Sequence, residues 1–205
     1  MLWMILAGYL VGAIPFAVLV GRAVDVDVRQ RGSGNTGALN TLRTVGPAAG
    51  VLVALLDAAK GALFIVIGTR LYGPNTGALA GCAAVVGHCF SPYLIAASWS
   101  DMCGNWKLAL RRSGGKGLAT GVGVLLLMAW PAAVAGAVVF ALTYAVQRRD
   151  VTLPSILGTL AAVPAMWVVS QNVWLTVAAL IVAVVITLKH LPDLRSGFWV
   201  EAPPV

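Results

Sequence analysis

Long uncharged apolar runs alternate with short polar segments along the whole chain. Each run reaches or exceeds the roughly 18–20 residues needed to cross the hydrocarbon core of a bilayer. Because a segment in lipid must satisfy its own backbone hydrogen bonds, runs of this length predict membrane-spanning helices. The pattern therefore predicts an all-α integral membrane protein with a single multi-pass domain over residues 1–205. The runs are Leu2–Gly21, Leu71–Ser100, Gly117–Gln147 and Val151–Leu188.

The positions of the basic residues predict about seven transmembrane helices. Helices are expected near 2–21, 48–69 and 76–97, and the run 151–188 divides at the polar "SQN" into two more. The run 117–147 is either one long helix or two short helices hinged at Trp130–Pro131. With two helices, all the Lys and Arg residues except Lys60 and Arg70 share one face, the N-terminus is outside and the C-terminus is cytoplasmic. Because basic residues tend to be retained in the cytoplasm, this distribution favours two helices in the run 117–147.

Composition agrees with this assignment. Hydrophobic residues make up 60% of the chain and charged residues 10%, and the mean hydropathy is +0.90, whereas soluble domains carry about 25% charged residues. The net charge of +7 follows from basic residues that orient the helices, so it does not indicate a nucleic-acid partner. The first charge, Arg22, follows the first apolar run rather than preceding it, which excludes a secretory signal. The three cysteines form neither a disulfide framework nor a spaced metal set.

Three polar segments, near 22–47, 98–121 and 189–201, are predicted to share the cytoplasmic face. The first contains "RQRGSGNTGALNTLR". Its "GSGNTG" matches the dinucleotide fingerprint G-x-G-x-x-G, but that fingerprint requires a βαβ unit, and a membrane helix follows here. Glycines that let backbone N–H groups converge can still bind an anion. The alternative is a flexible polar loop, which does not explain why acidic residues are absent from Gln30 to Leu56. The candidate anion ligands are Gly32, Ser33, Gly34, Asn35, Thr36, Asn40 and Arg43.

A second glycine-rich loop, "SGGKGLATG" at Ser113–Gly121, leads into a predicted helix. It is not a phosphate-binding P-loop of the Walker type, because Leu110 and Gly117 occupy the positions of the required Gly and Ser/Thr. Lys116 on this loop is nevertheless a candidate phosphate ligand. Two anion loops on one face indicate a site for phosphate.

Few other residues suggest chemistry. Asp57 and Lys60 lie three apart on a predicted membrane helix, where an ion pair is the favoured interpretation and a functional role the alternative. His88 is expected to be buried and satisfied by hydrogen bonds, whereas His190 faces the polar loops and is the better catalytic candidate. The acids are scattered and the histidines far apart, so neither a metal site nor a cofactor is predicted.

The motifs resemble those of the bacterial acyl-phosphate:glycerol-3-phosphate acyltransferases, the PlsY family. "GSGNTGALNTLRTVG" is similar to the first family motif at nearly every position, and "DAAKG", "GHCF", "GGKGLATG" and "VTLPSI" follow in the family's order. The resemblance implies a seven-helix enzyme of the bacterial inner membrane. It would transfer a fatty acyl group from acyl phosphate to the 1-hydroxyl of sn-glycerol 3-phosphate, giving lysophosphatidic acid and phosphate.

The resemblance also implies roles for particular residues. Ser33 and Arg43 of the first motif would hold the substrate phosphates together with Lys116 and its neighbours Gly114, Gly115 and Gly117. Ser33 is interpreted as a hydrogen-bonding ligand, with an acyl-serine intermediate as the alternative. Because acyl phosphate is already activated, positioning and charge stabilisation suffice and no strong nucleophile is required.

Two departures from the family pattern affect the function. Residues 98–113 form an insertion, and its "NWKLALRR" is typical of a segment lying on an anionic membrane surface. In the third motif, Asp193 stands where Asn is expected. A carboxylate there either weakens phosphate binding or pairs with His190 and orients it as a base. The alternative function is a non-acylating relative that binds or transports a phosphate ester. A metal-dependent phosphatidyltransferase is excluded, because it needs clustered aspartates.

Overall fold

The computed structural model describes residues 1–148 and 150–194, without the side chain of residue 101. Every regular element in these ranges is an α-helix, which confirms the all-α class. The helices are α1 (Leu2–Gly12), α2 (Phe16–Arg22), α3 (Ala38–Thr44), α4 (Pro47–Tyr72), α5 (Pro74–Cys89), α6 (Pro92–Ala97), α7 (Trp99–Met102), α8 (Trp106–Arg112), α9 (Leu118–Gln147), α10 (Thr152–Ser170) and α11 (Val173–Leu194).

Six helical stretches in the described residues are long and apolar enough to cross a membrane. Two of them join short neighbours, since α1 continues into α2 and α5 into α6. The mean hydropathy of these stretches runs from 1.5 to 2.3. The chain is therefore a multi-pass membrane protein, as predicted. The stretches are Leu2–Arg22, Pro47–Tyr72, Pro74–Ala97, Leu118–Gln147, Thr152–Ser170 and Val173–Leu194.

Small residues bring the helices into backbone contact. Gly12 of α1 packs on Ala84 of α5, and Gly68 of α4 packs on Gly77 of α5. Close approach through glycine and alanine is how helices associate in lipid, where the hydrophobic effect does not drive them together. Gly8 likewise meets Ala80, so α1 runs parallel to α5, whereas α4 runs antiparallel to it. The ends of α1 and α5 and the start of α4 thus lie at one end of the bundle.

Helix α9 is broken at Ala129, where φ is −161° and ψ is 98°. The break lies one residue before the predicted hinge and separates two arms, 118–128 and 130–147. The first arm packs against Gly61 of α4 and the second against Gly158 of α10. Gly117 lies near Ile186 of α11. Short connections join α9 to α10 and α10 to α11, so the end of α9 and the start of α10 lie toward the end of α11. Both arms therefore return to one end of the bundle. The arms counted separately give seven segments, and the number of crossings and the orientation of the termini stay predictions.

A buried cluster of charged and polar groups joins α4 to α5. Lys60 Nζ lies 2.8 Å from Asp57 Oδ1, 2.8 Å from His88 Nδ1, and 3.0 Å from the carbonyl oxygen of Ile14, to which it donates. Asp57, Lys60 and His88 are all buried. This geometry agrees with the interpretation of Asp57 and Lys60 as an ion pair and of His88 as a buried, hydrogen-bonded histidine. The cluster fixes the position of α5 relative to α1 and α4.

Candidate functional site

A pocket opens at the end of the bundle where both glycine-rich segments meet α11. Its volume is about 250 Å³, just below the roughly 300–1,000 Å³ typical of sites for drug-sized ligands. Three cations and one carboxylate face it, so it suits a small anionic group. The lining residues are Gly32, Ser33, Asn35, Leu110, Arg111, Lys116, Lys189 and Asp193.

The first glycine-rich segment is held in shape by the amide of Asn40. Its Oδ1 accepts a hydrogen bond from Ser33 N at 3.0 Å, and its Nδ2 donates to the carbonyl oxygens of Val28 at 2.8 Å and Arg31 at 3.2 Å. The side chain is 2% exposed. Gly32 has φ +58°, and a Cβ there would overlap Asn40 Oδ1. The sequence predicted Asn40 as a substrate ligand, but the structure uses its amide to anchor the loop, because α3 directs it backwards into the turn.

Replacing Asn40 with alanine is expected to loosen the segment 28–37 without unfolding the bundle. Three hydrogen bonds are lost, each worth about 0.5–1.5 kcal/mol, so the free energy of local opening should fall by about 2–4 kcal/mol. Hydrogen exchange of the Ser33 amide measures this directly. Asn75→Ala is the matched control, since Asn75 is exposed and accepts one hydrogen bond from Asn172 at the other end of the bundle. Unchanged exchange at Ser33 in Asn40→Ala would contradict the anchoring role.

The second loop packs directly onto the end of α5. Gly115 N donates to the His88 carbonyl oxygen at 3.1 Å. A Cβ at Gly114 would overlap the carbonyl oxygens of His88 and Cys89, and one at Gly115 would overlap the His88 imidazole. Gly114, Gly115 and Gly117 are buried. These glycines were predicted to hold phosphate. In the structure they pack closely against α5, which places Lys116 in the pocket, and their part in holding phosphate stays a prediction.

Asp193 bridges two cations across the pocket. Its Oδ2 lies 2.6 Å from Lys116 Nζ, and its Oδ1 lies 2.6 Å from Arg111 Nη2. His190 is 1% exposed, and its Nδ1 lies 2.8 Å from the Ile186 carbonyl oxygen one turn back. Hydrogen bonds in the described part of the chain do not join Asp193 to His190. The predicted alternative of an Asp–His dyad is therefore corrected: the carboxylate points to the cations, and the imidazole is buried beneath the pocket.

The remaining predicted residues divide between the pocket and its surroundings. Ser33 and Asn35 line it, and the Ser33 hydroxyl accepts a 3.4 Å hydrogen bond from Asn35 N. Gly34 has φ +70° and forms the turn behind them. Thr36 is buried, and its hydroxyl lacks a partner among the described residues. Arg43 is exposed on the last turn of α3 and is not among the residues that line the pocket.

An ion pair between Asp27 and Arg29 lies at the start of the first glycine-rich segment. Arg29 Nη2 lies 2.7 Å from Asp27 Oδ2, and Arg29 N donates to Asp27 Oδ1 at 3.0 Å. The hydrogen-bonded Arg29 guanidinium holds the pKa of the Asp27 carboxyl below its usual value, and the carboxylate raises the pKa of Arg29. The Asp27 carboxylate is thereby paired with Arg29 at the start of the loop.

Sequence reasoning missed Leu110, Arg111 and Lys189 as pocket residues. Lys189 is buried and donates to Ser113 Oγ at 3.0 Å and to the Leu110 carbonyl oxygen. A lysine in the last two turns of a membrane helix, beside His190, was an available signal for it. Arg111 lies in the segment interpreted as membrane-bound, and only the fold brings it to α11. Residues 195–201 of the third predicted segment lie outside the described residues. Within the described ranges, no three His, Cys, Asp or Glu side chains cluster as a metal site would require.

Comparisons with known proteins agree on one family. A family model described as glycerol-3-phosphate acyltransferase matches residues 2–198. A glycerol-3-phosphate acyltransferase from Synechococcus sp. (strain JA-3-3Ab) is 41% identical over 186 residues, covering 90% of this chain and 83% of the relative. Another from Myxococcus xanthus (strain DK1622) is 43% identical over 162 residues, covering 78% and 73%.

Two solved structures share the fold. The crystal structure of PlsY (YgiH), an integral membrane glycerol 3-phosphate acyltransferase, in its glycerol 3-phosphate form superposes with a TM-score of 0.79. The lysophosphatidic acid form superposes with a TM-score of 0.77. Each is 28% identical to this chain and aligns with 96% of it and 92% of the crystallised chain.

Proposed function

Because this chain belongs to the glycerol-3-phosphate acyltransferase family, we propose that it transfers a fatty acyl group from acyl phosphate to the 1-hydroxyl of sn-glycerol 3-phosphate. The products are lysophosphatidic acid and inorganic phosphate, in the first step of phospholipid synthesis. The observation that carries this proposal is the small cationic pocket that both glycine-rich segments form at one end of a membrane bundle. The proposed location is the bacterial inner membrane.

The proposed reaction needs no strong protein nucleophile, because acyl phosphate is already activated. The hydroxyl oxygen of glycerol 3-phosphate attacks the carbonyl carbon of acyl phosphate, an ester bond forms, and the carbonyl–phosphate C–O bond breaks. In the overall balance the hydroxyl proton leaves on inorganic phosphate. Both substrates carry phosphate, so the protein must hold two anions close together and stabilise the charge that develops on the departing one.

The pocket residues fit that task. Lys116 presents its ammonium group to the pocket from a loop that is fixed on α5. Ser33 and Asn35 supply neutral hydrogen-bond donors from the other loop, and Asn40 keeps them in place. We assign Ser33 as a ligand rather than a nucleophile, because its hydroxyl makes no hydrogen bond to a histidine or carboxylate in the described part of the chain. His190, buried behind the pocket, would support α11 rather than contact substrate.

The test uses the full chain, purified and reconstituted in lipid vesicles. Labelled glycerol 3-phosphate and palmitoyl phosphate are supplied with a magnesium chelator, and lysophosphatidic acid and released phosphate are measured. Equal amounts of the two products are expected. Palmitoyl-coenzyme A is the control donor, and product from it alone would overturn the assignment of acyl phosphate. Bound glycerol 3-phosphate without product from either donor would overturn the acyl transfer and favour a binding or transport relative.

A further inference from the structure

The segment 98–113, interpreted from the sequence as an insertion, contributes Leu110 and Arg111 to the pocket, and Arg111 carries its charge there. The Arg111 guanidinium lines the pocket together with Lys116, and its Nη2 lies 2.6 Å from Asp193 Oδ1. Hydrogen bonds hold the segment on both sides of Arg111, because Lys189 of α11 donates to the Leu110 carbonyl oxygen and to Ser113 Oγ. Arg111 is thus held at the pocket by contacts that do not depend on its own ion pair.

The Asp193 carboxylate bridges Arg111 and Lys116, and another anion can replace it there. The Arg111 side chain is 47% exposed and that of Asp193 is 22% exposed, and ion pairs this open to water contribute little to stability. A phosphate dianion carries more charge than a carboxylate and offers an additional oxygen to the same donors. Guanidinium binds phosphate with two parallel hydrogen bonds, which a single carboxylate oxygen does not provide. A substrate phosphate should therefore take the place of Asp193 between the cations.

We infer that Arg111 is a second cationic ligand for a substrate phosphate, and that Asp193 holds Arg111 and Lys116 together until the phosphate replaces it. This inference rests on the proposed acyltransferase function. It gives the insertion a role in substrate affinity, in addition to the predicted contact with the membrane surface. It also explains how a carboxylate can occupy a phosphate pocket: it keeps two cations positioned in the absence of substrate.

The phosphate can come from either substrate, and steady-state kinetics separate the two sources. The KM values for glycerol 3-phosphate and for palmitoyl phosphate are measured independently in vesicles for the wild-type chain and for Arg111→Gln. We expect one of the two KM values to rise about 10- to 30-fold, as for the loss of one charge-assisted hydrogen bond, while kcat changes less than about threefold. The KM that rises identifies the phosphate that Arg111 binds. Arg111→Lys, which keeps the charge but not the fork, should recover part of the loss.

Lys107→Gln is the matched control. It removes the same charge from the same short helix α8, but its ammonium group lies over the Trp106 ring, 5.8 Å from the centroid, and is not part of the pocket lining. Its KM values should equal those of the wild-type chain. Asp193→Asn should lower the same KM that Arg111→Gln raises, because the competing carboxylate is gone. Thermal unfolding in detergent verifies that each variant is folded.

The possible outcomes distinguish a failure of the role of Arg111 from a failure of the proposed acyltransferase function. Arg111→Gln with both KM values equal to those of Lys107→Gln would overturn the role of Arg111 and leave the acyltransferase standing. A fall in kcat at unchanged KM would overturn it as well. Absence of product from the wild-type chain would instead defeat the proposed function, before any variant is compared.

Discussion

Replacing Lys116 with glutamine is expected to lower the rate of lysophosphatidic acid formation about 10²- to 10³-fold, the effect of removing one preorganised group that stabilises transition-state charge. Lys116 extends into the pocket from a loop whose glycines are buried against α5. As the carbonyl–phosphate bond breaks, negative charge grows on the departing phosphate, and a fixed ammonium group beside it lowers the barrier. Glutamine keeps the polarity in a slightly shorter side chain and removes the charge.

The effect should appear in kcat with both substrates saturating. Lys107→Gln again serves as the control for loss of a positive charge near the membrane surface. This result would differ from that of Arg111→Gln, in which KM changes and kcat does not. If Lys116→Gln raised KM and left kcat intact, Lys116 would bind substrate and transition state equally and would not be catalytic.

Replacing Asp57 with asparagine is expected to destabilise the whole protein by about 3–5 kcal/mol, the usual effect of breaking a buried ion pair. The change leaves the Lys60 ammonium group buried without a carboxylate, with His88 Nδ1 and the Ile14 carbonyl oxygen as its remaining hydrogen-bond partners among the described residues. Unfolding of the purified protein in mixed micelles measures the loss. Asp25→Asn is the control, because Asp25 is exposed with φ +57°, a backbone conformation that asparagine tolerates.

A double variant shows whether charge or packing is responsible. Asp57→Asn with Lys60→Met removes the unpaired charge and keeps a long flexible side chain, and most of the stability should return. If the double variant stays as unstable as Asp57→Asn, the cluster stabilises the protein through shape rather than charge. The second glycine loop would then be affected too, since Gly115 packs on the His88 imidazole.

The fold was predictable because a bilayer permits few solutions. Apolar runs of about 20 residues can only be helices there, and the basic residues indicated that 117–147 contains two segments. The exact break was not predictable. Sequence placed the hinge at Trp130–Pro131, and the extended residue is Ala129, because a proline disturbs the backbone preceding it.

The candidate site was predictable only in part. Ser33 and Lys116 were identified from loop composition, and both line the pocket. Gly32 lines the pocket, whereas Gly114 and Gly115 pack against α5. This difference was not predictable, because a sequence does not show whether a missing side chain makes room for a ligand or for another helix. The ion-pair partners of Asp193 could not be predicted from the sequence either. Its contact with Arg111 joins residues 82 positions apart, and only the packing of α8 beside α11 creates it.

The unequal lengths of the two arms of α9 determine how deep in the bilayer acyl transfer takes place. The arm 118–128 is shorter than the arm 130–147, and Gly117 meets α11 at Ile186, one turn before His190. With similar tilt of the arms, the glycine–lysine loop lies about 5–10 Å deeper than the end of α9, or one to two turns. Drawing an acyl chain out of lipid costs about 0.8 kcal/mol for each methylene exposed to water. A recessed loop avoids that cost, because the water-soluble phosphate ester descends to the lipid substrate.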